Sequence, residues 1–470
     1  MSDIQLYQQA RLSRDPRFDG LFFIGVKSTG IYCRPICPAK LPAEHQVEYY
    51  SCAAAAAQAG FRPCLRCRPD SAPHSPAWLG VQTTLRRAIQ LIDQGALQQG
   101  NQGQLADRLG ISERYLRKLF QQHLGVAPKH YALYQQVLLA KQLLHQTQLP
   151  VAEIALRSGF HSLRRFNDAF KQQVQLTPGQ IRRRPQHGEQ TVLELQLSYR
   201  PPLDWEAQLA FWQSRTLDGM EWVRGQIYGR TFVHQNVPGW FELCPHPAST
   251  QQNHSLQLKL HWPSSADLSP VLAKIRQLAD LDANMLAIEQ QLSPVFGDQL
   301  TAGLRIPGLW GSFEAAIRAI LGQQVSVQGA RTQLNRLLTE LAATVPGTDK
   351  KLFPTPEAIA GSELLMIKVP QARRDTLKAL ARFVIAQPDS TPDDWLQLKG
   401  IGPWTVAYAK MRGLGEPDLW LGGDLGVQKA LAHLPAFTEQ QLSPWRSYAT
   451  FQAWHSLSLP KPAKDSVSKD

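Results

Sequence analysis

The sequence predicts a multidomain α+β chain. It should hold a small α/β domain built around clustered cysteines and an all-α domain with two helix-turn-helix units. An antiparallel β-sheet/α subdomain and a final all-α domain with a helix-hairpin-helix should follow. Three observations carry this reading. Of six cysteines, four (Cys33, Cys37, Cys64 and Cys67) fall in the first seventh of the 470 residues. A helical pattern in the basic middle of the chain repeats after 50 residues, as Ser112, Phe120 and Pro128 recur as Ser162, Phe170 and Pro178. Beyond it, alternating strand-like stretches give way to a long helical region that carries Gly-Ile-Gly before a proline.

A hydrophobic content of 43% supports ordinary globular cores, and the length suits roughly two to four domains. The opening MSDIQLYQQARLSRD lacks the charged-then-apolar layout of a signal peptide, and no apolar run approaches about 18 residues. A soluble intracellular protein is expected, and in a reducing compartment clustered cysteines point to metal rather than disulfides. The net charge of +12 is concentrated: residues 78–184 hold 15 Lys/Arg against 5 Asp/Glu, whereas 185–470 hold 26 against 27. A positive field so confined suggests a nucleic-acid contact, with a solvated basic face as the alternative. Expected domains are 1–75, 78–184, 190–300 and 301–460, separated by PDSAPHSP (Pro69–Pro76) and RRRPQHGEQ (Arg182–Gln190). The tail from Leu459 is expected to be disordered.

In the first domain, short apolar runs such as LFFIGV alternate with turns. C-R-P-I-C and C-L-R-C stand 26 residues apart, two short-spaced thiol pairs that match a tetrahedral zinc site with Cys33, Cys37, Cys64 and Cys67 as ligands. A zinc thiolate serves as a clamp or as a nucleophile, and spacing alone favours the clamp. Cys52 and Cys244 lack partners at ligand spacing and are expected to be inert.

In the basic domain, QLADRLGIS leads into ERYLRKLFQQ, and EIALRSGFHS leads into LRRFNDAFKQQ. Each copy reads as a short helix, a turn at Gly110 or Gly159, and a second helix opened by a Ser N-cap. The second helices carry Glu113, Arg114, Arg117 and Lys118 in one copy and Arg164, Arg165 and Asn167 in the other. Arg and Asn suit base edges, and Lys and Arg suit phosphates.

From Val192 to Trp262, stretches such as TVLELQLSY and HSLQLKLHW read as strands; after about Leu268 the pattern is helical. At Thr391-Pro392-Asp393-Asp394 a helix opens with an N-cap, a proline at the first position and an acid three residues on. Gly400-Ile401-Gly402 makes a tight hairpin and Pro403 starts the next helix, so backbone N–H groups are offered to one DNA phosphate. Asp424, in LWLGGDLGVQKAL, reads locally as an N-cap. Trp404 and Tyr408 share a helix face at i, i+4, where core packing is the plain alternative to a binding role.

Three resemblances sharpen these readings. GFHSLRRFNDAFKQQVQLTPGQIR is similar to the DNA-binding domain of AraC-type regulators. RDPRFDGLFFIGVKSTGIYCRPICPAK with AGFRPCLRCRPD resembles the N-terminal zinc domain of the Ada family of alkylation-response proteins. That resemblance implies that Cys33 takes a methyl group from a methyl phosphotriester in DNA, once per molecule, and that the methylated protein binds promoters more tightly. Arg34, Arg62, Arg66 and Lys40 would then meet phosphate. No Pro-Cys-His-Arg motif occurs, so direct O6-alkylguanine repair is not expected.

The region from about 192 to 458 resembles the AlkA-type helix-hairpin-helix DNA glycosylases, through LSYRPPLDWEAQLAFW, LGQQVSV, the L-K-G-I-G-P-W-T-V-A-Y hairpin and PWRSYATFQAW. The resemblance implies a helix-hairpin-helix glycosylase domain of the DNA-3-methyladenine glycosylase II type, an N-glycosyl hydrolase. Asp424 would be catalytic, and Trp404, Tyr408 and Trp454 would line the base pocket. Gly400 and Gly402 would seat the DNA backbone, with a monovalent cation at the hairpin. Trp404 occupies the place where bifunctional relatives carry a Schiff-base lysine, so a monofunctional enzyme is expected. The expected partners are double-stranded DNA, alkylated and at promoters, with RNA polymerase a further candidate. A monomer without membrane contact is expected. The rival readings are a transcription factor whose glycosylase-like half only bends DNA, and a repair enzyme whose N-terminal half only raises DNA affinity.

Overall fold

The computed structural model describes residues 3–51, 53–64, 66–67, 69, 83–182, 191–247, 254–432 and 434–457. The stretches expected as linkers at 70–76 and 183–190, the tail from Leu459, and Cys52 lie outside the described residues.

The apolar run near the N-terminus forms β1 (Phe23–Val26), which pairs antiparallel with β2 (Ile31–Cys33) and with β3 (Val47–Tyr50). A short β4 (Arg62–Pro63) adds parallel to β2, giving the order β3-β1-β2-β4. Side chains alternate along this run: Phe22 and Ile24 enter a core with Ala10 and Phe18, while Phe23 enters another with Tyr32. That second core also holds Leu105, Leu116, Phe120 and Tyr131, so the zinc module and the first helix-turn-helix bury one another.

The 50-residue echo is a structural repeat. Ser112 and Ser162 cap the helices Glu113–Leu124 and Leu163–Val174 by accepting the amides of Tyr115 and Arg165. Gly110 and Gly159 occupy positive φ at the two turns, Phe120 and Phe170 are fully buried, and Pro128 and Pro178 each open a following helix. Between the copies runs the helix Pro128–Gln146, buried on most of its faces. Its Lys, His and Gln residues are spread around it, and Lys141 and Gln142 are themselves buried, so no single apolar stripe marks this strut.

The glycosylase-like half opens with a five-stranded antiparallel sheet, β5 (Leu193–Ser198), β6 (Glu221–Arg224), β7 (Ile227–His234), β8 (Val237–Pro245) and β9 (Ser255–His261), in the order β5-β9-β8-β7-β6. Gln235 and Asn236, both at positive φ, join β7 to β8 in a two-residue hairpin. Inside the stretch expected to hold strands, LDWEAQLAFWQ forms the helix Trp205–Gln213, capped by Asp204. Phe166 and Phe170 share a core with Leu195, Trp205, Trp212 and Phe241, so the second helix-turn-helix is seated on this sheet. The two helix-turn-helix units therefore pack against different neighbours.

Helices follow to Ser456, with two local departures. Pro392–Gln397 is a 3₁₀ turn rather than an α-helix, although Thr391 and Asp394 form the expected capping box. Lys410–Leu414 makes one π-helical turn after the helix Pro403–Ala409. Among the described residues, no helix is long and apolar enough to cross a membrane.

A buried ion network fastens the sheet to the helix Ser312–Gly322. Arg230 donates to Glu314 at 2.8 Å, and Arg318 donates to Glu314 at 3.0 Å and to Glu221 at 2.8 Å. Removing one partner leaves an uncompensated buried charge. Glu314→Ala, which leaves Arg230 and Arg318 to share Glu221 alone, is expected to lower unfolding stability by about 3–5 kcal/mol, as read from denaturant midpoints.

Candidate functional site

The first sheet brings the two cysteine pairs together. β2 ends on Cys33, β4 lies parallel to it with Tyr32 opposite Pro63, and Cys64 follows directly. Cys33, Cys37, Cys64 and Cys67 place their four sulfurs within 4.8 Å of one another. A tetrahedral zinc ion with Zn–S bonds of about 2.3 Å needs sulfurs about 3.8 Å apart, so the donor set fits zinc. The amides of Arg34 and Arg66 point at Cys67 Sγ and Cys64 Sγ, each at 3.4 Å, as donors toward sulfurs that carry charge. Cys37, Cys64 and Cys67 are buried and Cys33 is half-buried, which gives Cys33 access to solvent.

Arg34 corrects an expectation. It is 4% exposed; its Nε donates to Asp19 at 2.8 Å, another guanidinium nitrogen also meets that carboxylate, and a third reaches the Cys67 carbonyl at 3.1 Å. A guanidinium enclosed in this way braces the cysteine loops and is not presented to phosphate. Arg66 and Lys40 are exposed and Arg62 is half-buried, so these three remain at the surface. Cys244 is a partly buried free thiol whose pKa burial pushes up, which makes it a poor nucleophile.

On the helix-turn-helix units Arg114, Arg117 and Lys118 are exposed, as are Arg164, Arg165 and Asn167. Arg117 is paired to Glu113 at 2.9 Å across one helical turn, a contact at the surface that competes little with a phosphate.

The third cluster lies in the C-terminal half. Gly400 sits at φ +90°, and a Cβ there would come within 2.2 Å of the Thr376 hydroxyl oxygen. Glycine is therefore required by both conformation and space. Gly402 caps the helix Pro403–Ala409. The carbonyls of Lys399 and Gly400 already accept hydrogen bonds from Thr376 and Gln323, and nothing in this geometry calls for the monovalent cation expected from the sequence.

Trp404 and Tyr408 stack with ring centroids 5.3 Å apart, and Tyr408 meets Trp454 at 6.3 Å. Asp424 is indeed an N-cap: its Oδ1 accepts from the amides of Gly426 at 2.9 Å and Val427 at 3.1 Å. The same atom accepts the Trp454 indole N–H at 2.9 Å. Oδ2 accepts none of these bonds. These four residues line one cleft of about 1230 Å³ together with Phe211, Arg215, Gln323 and Arg412.

Sequence reasoning missed the arginine wall of this cleft. Arg215 lies 3.8 Å from the Phe211 ring centroid, and Arg412 lies 4.9 Å from it on the same ring. Arg412 also donates to the Tyr408 hydroxyl at 2.7 Å. Burial lowers the Arg215 pKa to about 10, so it stays cationic at neutral pH. The signal was present as i, i+4 pairs, Phe211 with Arg215 and Tyr408 with Arg412, but the first pair spans the end of a helix that was not foreseen.

Comparison with known proteins bears on the whole chain. Residues 7–70 match the metal binding domain of Ada, residues 105–184 a helix-turn-helix domain, and residues 194–311 the AlkA N-terminal domain. A Mycobacterium tuberculosis protein described as a probable bifunctional transcriptional activator/DNA repair enzyme AlkA is 34% identical over 97% of this chain and 97% of its own length. The chain belongs to this family. Its parts have separate relatives as well. The DNA-3-methyladenine glycosylase 2 of Escherichia coli is 30% identical over 55% of this chain and 96% of its own length. The bifunctional transcriptional activator/DNA repair enzyme Ada of Escherichia coli is 36% identical over 30% of this chain and 38% of its own length. The family thus joins an Ada-like front to an AlkA-like back, and zinc belongs to the front.

Replacing a buried sulfur ligand by a hydroxyl should release the metal from a four-sulfur site. Cys37→Ser is expected to drop bound zinc from about one per chain toward zero, as measured by elemental analysis of the purified protein.

Proposed function

We propose that the chain couples alkylation sensing to repair: a single-use acceptor of methyl groups from DNA phosphotriesters at Cys33, a methylation-responsive DNA-binding regulator, and a monofunctional glycosylase that excises alkylated bases such as 3-methyladenine. The observation that carries the repair part is Asp424, whose Oδ1 is held by two amides and the Trp454 indole inside a cleft lined by aromatic rings.

For excision, a damaged base must leave the stack and enter the cleft. Trp404, Tyr408 and Trp454 offer ring faces to a cationic alkylpurine, which attracts it by stacking and cation–π contact. When the N-glycosidic bond breaks, its electron pair leaves with the base and cancels the positive charge there. The sugar becomes oxocarbenium-like, and the Asp424 carboxylate stabilises it. Water then adds to C1′ and loses a proton toward Asp424. Gly400 and Gly402 set the hairpin amides toward a backbone phosphate.

At the N-terminus, zinc, when bound, keeps its cysteine ligands deprotonated at neutral pH. The half-buried Cys33 thiolate attacks the methyl carbon of a methyl phosphotriester. A sulfur–carbon bond forms, the carbon–oxygen bond breaks, and the electron pair leaves on the phosphate oxygen as a diester anion. One negative charge disappears from the protein, so its affinity for DNA rises. Arg62, Arg66 and Lys40 are the groups assigned to the phosphate at this site. Arg114, Arg117, Lys118, Arg164, Arg165 and Asn167 are assigned to the promoter.

Four measurements test this reading. Asp424→Asn is expected to lower 3-methyladenine excision by about 10²–10⁴-fold, and full retention of excision would refute the assignment. Trp454→Phe keeps a ring but deletes the bond to Asp424; the expected loss in kcat is roughly 10–100-fold. After exposure to methyl-phosphotriester DNA, mass spectrometry is expected to find a gain of about 14 Da on Cys33. Zinc still bound with Cys33 unmodified would leave the site as a clamp only. A fragment from Val192 that excised nothing would favour the DNA-bending alternative.

A further inference from the structure

We propose that the regulator and repair halves enclose a binding site for a small planar heterocycle that carries an amino group, an aminopurine by class. The site is a cavity of about 230 Å³. One wall is formed by the helices Thr83–Asp93 and Pro128–Gln146, through Ile89, Asp93 and Leu138. The opposite wall is formed by β5 and the helices Ser269–Leu278 and Arg446–Ser456, through Ser198, Ala273 and Tyr448. The cavity shares none of the residues that line the cleft around Asp424. Apolar cavities of about 150 Å³ already admit a benzene ring, so this one has room for a two-ring molecule.

The polar groups of the lining call for hydrogen-bond donors. Gln98 Oε1 and Ser198 Oγ are buried there and have no hydrogen-bond partner among the described residues. Ser198 is 2% exposed, and a polar atom so enclosed is costly while unpaired. Asp93 accepts the Tyr131 hydroxyl at 3.5 Å, beyond the ordinary length of such a bond. Burial pushes the Asp93 pKa up to about 8, and the charge of Asp282 adds to the rise. A carboxyl group protonated at neutral pH offers a donor and an acceptor side by side. That pair matches the amino group and neighbouring ring nitrogen of an aminopurine, as a carboxamide does when it reads adenine.

Charge selects against an anion. Arg276 is the cation of the lining, and its Nε already meets the Asp282 carboxylate at 3.1 Å. A terminal nitrogen of Arg276 reaches the same carboxylate and, at 3.0 Å, the Ser198 carbonyl. With Asp93, Asp280 and Asp282 around it, the space suits a neutral molecule rich in donors. Trp445 and Tyr448, with ring centroids 5.8 Å apart, add aromatic surface. An occupant touches both halves at once, so by mass action it stabilises their docked arrangement over an opened one. Free adenine belongs to this chemical class, and so does an alkylated adenine released by the repair half. The second source rests on the proposed glycosylase activity; the site itself does not.

The test uses the full-length chain with free adenine, 3-methyladenine and purine as probes, titrated by calorimetry and located by amide hydrogen exchange. Adenine or 3-methyladenine at saturation is expected to slow exchange in the helices Thr83–Asp93 and Ser269–Leu278 by about tenfold. Purine keeps the ring system and lacks the amino group, so it should bind at this site about tenfold more weakly or worse. Ala273→Leu fills the cavity, and Gln98→Met removes an acceptor at nearly constant size. Each should abolish the slowed exchange in both helices, whatever the bases do in the cleft around Asp424. Tighter binding of 3-methyladenine than of adenine makes the excised base the source, and the reverse order makes it the undamaged base. Unchanged exchange in both helices with either base overturns the proposal. So does equal protection by purine, or protection retained in full by Ala273→Leu and Gln98→Met. A chain that excises nothing yet shows the slowed exchange overturns the glycosylase reading and leaves this site standing.

Discussion

Every α-helix begins with backbone N–H groups that no earlier carbonyl can satisfy, and an acceptor must be supplied for them. This chain meets that demand with the side chains that define its functional elements. Ser112 and Ser162 set the first residues of the two helices that carry the exposed arginines of the basic domain. Thr391 and Asp394 close a capping box ahead of the hairpin. Asp424 does double duty: the amides that need an acceptor also hold the carboxylate at the mouth of the cleft. The cap seen at Asp424 and the catalytic role proposed for it therefore draw on one arrangement.

The modules are joined by burial more than by linkers. The zinc module shares a core with the first helix-turn-helix, and the second shares a core with the five-stranded sheet. Apolar area removed from water is the dominant favourable term in each case. Such sharing makes the regulator a bridge between the metal and the repair half. It also explains why the long helix Pro128–Gln146 is buried on nearly all sides, since it lies between both partners.

Much of the fold was legible because the relevant signals are short-range. The Ser–turn–Phe–Pro echo and the Thr391 capping box are each written within a short stretch of chain. The four zinc ligands were legible from spacing, whereas the grouping of Asp424 with Trp404, Tyr408 and Trp454 came only from the resemblance to AlkA-type glycosylases, and the structure places the four in one cleft. Other groups were not. Arg34 stands within the cysteine motif and looks like a phosphate contact, yet its burial against Asp19 depends on a residue 15 positions away whose place is set by the fold. Phe211 and Arg215 reach the cleft from a helix that lies almost 200 residues before Pro403.

By itself the sequence determined the metal ligands, the doubled helix-turn-helix, the basic character of the middle domain and the N-cap at Asp424. These follow from residue type, spacing and capping chemistry, which act over one or two helical turns. Only the tertiary structure decided which charges are buried, how the arginine wall of the cleft is assembled, and that Leu286 sits against the zinc module. Those outcomes depend on which surfaces exclude water from one another, and no local pattern carries that information.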